Sequence, residues 1–266
     1  MKFYRNPELA DSYLENIKSY LRGERELPAS KLNTRPQGIH QSNLNDHSCI
    51  QKGYFSNVIG QKDMTDTDAL NFIAGRLFER GVAFVGELDP VLQDDIWVTP
   101  DDETPGFGLT EIKYTVTTSL QEVKDEQPQW VCQMKNQAYA FGVNHINLLI
   151  YYAMGNAPSS FFWNKSRPKE VPYRGKELQA WTYEFTDEEI EDNWRAVVER
   201  KDILVEAIEN ETPINKHIVL LELPWNWKYE RKNKVVIRKW KDYWQCKLCA
   251  YSVNCELFDE LVMGIK

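Results

Sequence analysis

Apolar and polar positions along this chain recur in two rhythms, one near 3.6 residues and one of two, and the changes of rhythm mark out its elements. Residues 7–22 carry an amphipathic helical pattern, followed to residue 40 by a loop with Pro28, Pro36 and Gly38. The segment "SNLNDHSCIQKGYFSNVIG" (42–60) reads as a short helix pair with Cys49 inside it. In "TDTDALNFIAGRLFERG" (65–81), Leu70, Ile73 and Leu77 recur at helical spacing and Gly81 ends the run. Three strand candidates follow: "VAFVGELD" (82–89), "DIWVT" (95–99) and "GLTEIKYTVT" (108–117). The linkers between them, with Asp94, Asp95 and "PDDETPGFG", have turn chemistry. A helix is expected over 128–142, opened by Pro128 and closed by Gly142. "HINLLIYYA" (145–153) is almost unbroken apolar, as in a strand buried on both faces. Beyond it the pattern predicts an irregular stretch over 154–180, a long charged helix near 187–209, a strand at 217–223 and then a basic stretch. The order between 65 and 153 is therefore α-β-β-β-α-β, and without a repeat or clear linker the chain reads as a single domain over 1–266.

Composition narrows this picture. With 266 residues, 42% apolar and 27% charged, the chain is of ordinary globular make-up. No apolar run approaches the roughly 18–20 residues that span a bilayer, and the first residues lack an apolar leader pattern. The expectation is a cytoplasmic protein with no membrane partner, in which clustered cysteines hold a metal rather than a disulfide. A net charge of −8 argues against nucleic-acid binding by the surface as a whole. Residues 227–247 depart from that balance, because Lys232, Lys234, Arg238 and Lys239 lie among further lysines and are interleaved with Trp227, Tyr229, Trp240 and Trp244. Such a mixture suits tracking phosphates and stacking bases; it equally suits a solvated strand pair with inward aromatics. No phosphate-binding glycine loop of the ATPase type is present, so a built-in helicase is not expected.

Two constellations carry chemistry. Glu111 and Lys113 are two apart on a predicted strand and so share a face. A carboxylate beside an ammonium suits metal-assisted hydrolysis, the acid binding Mg²⁺ or Mn²⁺ and the lysine orienting water. The same triplet at Glu122, Glu199 and Glu230 lacks that strand context and reads as surface pairing. Asp89 ends a strand 22 residues earlier, where an antiparallel neighbour could bring it beside Glu111, and Glu79 on the preceding helix is a third carboxylate. The second constellation is Cys246, Cys249 and Cys255, spaced C-x2-C-x5-C, one thiolate short of the four that zinc or an iron–sulfur cluster takes. The x5 gap is longer than the paired knuckles of a zinc ribbon, which favours iron–sulfur. Cys132 reads as a buried free thiol.

A helix with G-x-x-x-E, a strand ending "GELD", a strand with E-x-K, a helix with Gln133 and a buried strand: this order resembles the RecB-like branch of the PD-(D/E)-x-K nucleases. Glu79 stands where that branch often has histidine, and Gln133 is followed at +4 by Gln137 rather than by tyrosine, with Tyr139 at +6. The resemblance implies a restriction-endonuclease-like α/β fold. Asp89, Glu111 and the Ile112 carbonyl would bind Mg²⁺ or Mn²⁺, and Glu79 would hold the ion directly or through water. Lys113 would position the attacking water, with Gln133 assisting. One cysteine before this core and three after it is similar to the Cas-four exonucleases and the AddB nuclease domain. That likeness implies a 4Fe-4S cluster on Cys49, Cys246, Cys249 and Cys255, clasping 42–60 to 226–257. It also implies DNA with single-stranded ends as substrate, and CRISPR adaptation proteins or a viral recombination protein as partners. Two other readings are a non-catalytic adaptor that holds DNA ends and a zinc-stabilised viral recombination exonuclease.

Overall fold

The apolar run at 145–153 becomes the central strand of a mixed sheet in the computed structural model of the chain. The structure describes residues 1–28, 36–44, 49–60, 66–115, 128–153, 155, 175–215, 227–232, 235–240, 249, 251, 254 and 255; at 66–72, 128 and 227–240 the description covers backbone only. The strands are β1 (Lys2–Arg5), β2 (Ile39–His40), β3 (Val91–Gln93), β4 (Ile96–Val98), β5 (Asp102–Thr104), β6 (Gly108–Thr115), β7 (His145–Tyr152), β8 (Glu177–Glu184), β9 (Trp227–Lys232) and β10 (Val235–Trp240). The helices are α1 (Pro7–Leu21), α2 (Gln41–Leu44), α3 (Ile50–Val58), α4 (Asp66–Val82), α5 (Pro128–Phe141) and α6 (Asp187–Glu209). They form two compact units, Met1–Gln41 with Met64–Arg195 and Ser42–Asp63 with Ala196–Lys266, within the span expected as one domain. Among the described residues no helix is long and apolar enough to cross a membrane.

In the first unit the sheet order is β1-β8-β7-β6-β5, with β6 and β7 parallel and the other pairs antiparallel. Ile146, Leu148, Ile150 and Tyr152 of β7 pack with Met134 and Ala138 of α5. Leu149 points the other way, into a core with Leu9 and Tyr13 of α1 and with Val82 and Ala83. Both faces of the strand are covered, which is why its sequence shows no polar alternation. The same two-residue period sorts β6: Leu109 belongs to the α5 side and Ile112 to the α1 side, so Glu111 and Lys113 share the α5 side.

The expected strand at 82–89 does not form. α4 runs to Val82, and 83–90 is irregular. The cause is Asp102, whose buried carboxylate accepts the N–H groups of Phe84 and Val85 at 2.9 Å and of Gly86 at 3.0 Å. A side-chain acceptor thus replaces the strand partner these donors would otherwise need. Tyr13 donates to the same carboxylate at 2.8 Å and contacts Thr104 Oγ1 at 2.6 Å. Gly86 has φ +88° and lies so close to Pro28 that a Cβ would come within 2.8 Å of it, so glycine is required there. Asn16 and Arg25 take the carbonyls of Gly81, Val82 and Ala83, closing the C-terminus of α4.

Two further departures follow from buried polar groups. The stretch expected to be irregular to residue 180 contains β8 from Glu177, a strand that buries Gln179 and Thr182. The segment read as a turn-rich linker contains β5, which buries Asp102 and Thr104. The strands expected at 95–99 and 108–117 appear as β4 and β6, although β4 joins a separate sheet of order β2-β4-β3. The strand expected at 217–223 lies outside the described residues.

In the second unit α2 and α3 are the anticipated helix pair. Gln51 Oε1 accepts from Ile214 N at 2.9 Å and Arg200 Nε donates to the Leu44 carbonyl at 2.9 Å. Tyr251 donates to the Gly60 carbonyl at 3.0 Å and stacks on Phe55. The basic stretch forms an antiparallel hairpin of β9 and β10, with Val235 opposite Lys232.

Candidate functional site

β5 pairs with β6 only through Asp102–Thr104 and Gly108–Thr110, so that pairing stops before Glu111. Asp101, the residue before β5, reaches across this edge and accepts the Ile112 N–H on Oδ2 at 2.8 Å. An extended residue presents its N–H and C=O to the same edge, so the Ile112 carbonyl faces that side as well.

Glu111 is fully buried and takes hydrogen bonds from Lys113 Nζ and from Gln137 Nε2 on α5. Lys113 Nζ also donates to Gln133 Oε1 at 3.2 Å, one helical turn before Gln137. The other amide atom of Gln137, Oε1, is buried without a hydrogen-bond partner among the described residues. Such an atom is uncommon and marks a place where a water, an ion or a ligand completes the network.

Charge is concentrated around this core. Burial and the neighbouring Glu111 raise the carboxyl of Asp101 well above its usual range, against Lys113 and the Ile112 N–H. Burial works against the Lys113 ammonium, but the charges of Glu111 and Asp101 outweigh it and hold its pKa above the ordinary value. Glu79 on α4 is pushed up to about 7 by burial and by Asp101, with Arg76 opposing. Arg76 Nη1 donates to the two carboxylate oxygens of Glu79 at 2.8 and 3.0 Å, and its Nη2 to Glu87 Oε2 at 3.2 Å.

Of the anticipated site residues, Glu79, Glu111, Ile112, Lys113 and Gln133 therefore lie in one neighbourhood. Asp89 is exposed in the irregular 83–90 segment, and the aspartate beside Glu111 is Asp101. The sequence carried a signal for it: in Pro100-Asp101 the aspartate stands ten residues before Glu111 and twelve before Lys113. Gln137 was also legible, one turn after Gln133, whereas nothing in the sequence distinguishes Glu87. Tyr139 stacks on Trp194 at 4.6 Å.

In the second unit Cys49 is the N-cap of α3. Burial raises its thiol pKa and the charges of Cys249 and Cys255 add to that, while the N–H groups of Lys52 and Gln51 oppose it. Cys249 and Cys255 thus both lie within reach of Cys49 by charge. Cys132 is buried on α5 in the first unit. Cys246 and Lys234 lie outside the described residues, and Lys232, Arg238 and Lys239 are placed by backbone on β9 and β10. Among the described residues no three His, Cys, Asp or Glu side chains converge as a ready metal cage.

No protein-family model matches the chain, and no curated protein does. The crystal structure of SSO0001 is similar at TM-score 0.43 and 11% identity, over 93% of this chain and 95% of that one. The crystal structure of a phage-related exonuclease from Haemophilus somnus 129PT is similar at TM-score 0.41 and 12% identity, over 67% of this chain and 98% of that one. Likeness of this size assigns neither family nor activity.

Proposed function

We propose that the chain is a divalent-metal-dependent deoxyribonuclease acting on DNA with single-stranded ends. The observation that carries this reading is the meeting of Asp101, Glu111 and Lys113 at the edge of β6, with Glu79 beside them. Asp101, Glu111 and the Ile112 carbonyl offer hard oxygen donors that suit Mg²⁺ or Mn²⁺, and so small a donor set leaves coordination positions for water and phosphate. An ion held there would supply Lewis-acid stabilisation and a more acidic water. Lys113, whose raised pKa keeps it charged, would orient the attacking water and offset charge on the phosphate rather than act as a base. Glu79, whose two carboxylate oxygens already accept from Arg76, would hold the ion through a water or directly. Gln133 steadies the Lys113 ammonium, and Gln137 steadies the Glu111 carboxylate. The β9–β10 hairpin, with Lys232, Arg238 and Lys239, would contact the DNA backbone.

The test is digestion of 5′- and 3′-labelled single strands with Mn²⁺. The wild type should shorten them, and Lys113→Ala should be at least about 100-fold slower while remaining folded. Intact strands with the wild type would favour the non-catalytic adaptor instead.

The soft thiolates of Cys49, Cys246, Cys249 and Cys255 would hold a 4Fe-4S cluster as a structural clasp; the reach of Cys249 and Cys255 to Cys49 supports this set. Broad visible absorbance should be lost in Cys49→Ala and kept in Cys132→Ala, whereas a colourless wild type with bound zinc would replace iron. A place in CRISPR adaptation or viral recombination is proposed on the sequence resemblance alone.

A further inference from the structure

Arg76 lies among the carboxylates of the candidate site, and its role goes beyond a surface ion pair. Its side chain is 17% exposed, and those of its partners Glu79 and Glu87 are 16% and 8% exposed. The partners approach from different directions. Glu79 is three residues on along the same helix, whereas Glu87 comes from the irregular segment that Asp102 pins through Phe84, Val85 and Gly86. One planar guanidinium forks to both, a geometry that an ammonium does not reproduce.

The charges around the site then count as follows. With every carboxylate ionised, as a bound divalent ion requires, Glu79, Glu87, Asp101 and Glu111 bring four negative charges, and Arg76 and Lys113 return two positive ones, leaving −2. That remainder matches one divalent ion. A second ion could use Glu79 and Glu87 only by displacing a guanidinium that is already bonded to both, leaving a poorly solvated charge unpaired.

We infer that Arg76 is a resident cation seated between Glu79 and Glu87, and that it restricts this site to a single divalent ion. The inference rests on the nuclease reading for the identity of the site. It is tested on the full chain by Mn²⁺ titration, with calorimetry for stoichiometry and electron paramagnetic resonance for free ion. The wild type should bind one Mn²⁺ in this site, and Arg76→Gln should bind one more. Adding Glu87→Gln to Arg76→Gln should return the count to that of the wild type. Arg76→Lys, which keeps the charge, should stay at one. The dependence of cleavage on Mn²⁺ should steepen from a Hill slope near one to near two in Arg76→Gln alone. Two site ions in the wild type, or an unchanged count in Arg76→Gln, overturns the inference. The wild-type count decides by itself if Arg76→Gln does not fold. One bound ion without DNA cleavage would remove the nuclease reading and leave this inference standing; cleavage with two ions would do the reverse.

Discussion

β7 and β5 belong to one sheet and both bury side chains in it, but with opposite chemistry. β7 buries Ile146, Leu148, Ile150 and Tyr152 by apolar area. β5 buries Asp102 and Thr104, and its burial is stabilised by hydrogen bonds to Tyr13, Thr110 and three backbone N–H groups. Hydrophobic patterning detects the first kind of burial and is blind to the second. The candidate site sits where the two meet, with Glu111 on the strand between them and Asp101 at the entrance to β5.

The largest expected effect separates the aspartate at β5 from the one an apolar pattern suggests. Asp101→Asn should slow Mn²⁺-dependent cleavage at least about 1000-fold and Asp89→Asn less than about 3-fold, as single-turnover rates would read. The opposite order would return Asp89 to the site and leave β5 a structural strand only. Next comes stability. Asp102→Ala removes the acceptor of four donors from a buried position and should cost about 3–5 kcal/mol. Leu148→Ala in β7 should cost about 2–5 kcal/mol through its cavity. Urea unfolding compares the two directly, and an Asp102→Ala loss below about 1 kcal/mol would deny that the polar network holds β5 in place.

The smallest effect is in pH. Glu79 titrates near 7 in the folded chain against 4.5 for an ordinary glutamate, so the native state holds an extra proton between those values. Stability from this group therefore falls as pH rises from about 4.5 to about 7 and levels off above, and the raised Asp101 adds in the same direction. With chelator present, the melting temperature should drop by a few degrees from about pH 5.5 to 8, and Glu79→Gln should flatten the slope. A melting temperature that rises over this range would contradict the burial of Glu79.

The elements legible from sequence are those whose burial is apolar or whose ends are punctuated. α5, β7 and α6 lie within a residue of their expected spans, through Pro128, the run 145–153 and the charged amphipathic stretch 187–209. β8 was hidden by Gln179 and Thr182, and β5 by Asp102, Glu103 and Thr104. The apolar run 82–89 misled in the opposite sense, because its N–H groups are claimed by a side chain 16–18 residues further on, which no local window sees. In the site, Glu79, Glu111 and Lys113 could be picked out by spacing, and Gln133 by the family resemblance. Asp101 was present as a Pro-Asp pair masked by turn chemistry, and Arg76 with Glu87 emerges only in three dimensions.

The Tyr13–Asp102 bond also says where the molecule can be cut. All the proposed hydrolytic residues fall within 65–153, which invites trimming to a compact fragment for expression or fusion. That fragment would strip Asp102 of its phenol donor, uncap the end of α4 by removing Asn16 and Arg25, and open the α1 side of the sheet. The first 28 residues are thus scaffold rather than appendage, and a working miniature would have to carry them along, whether in their natural place or circularly permuted beside β8.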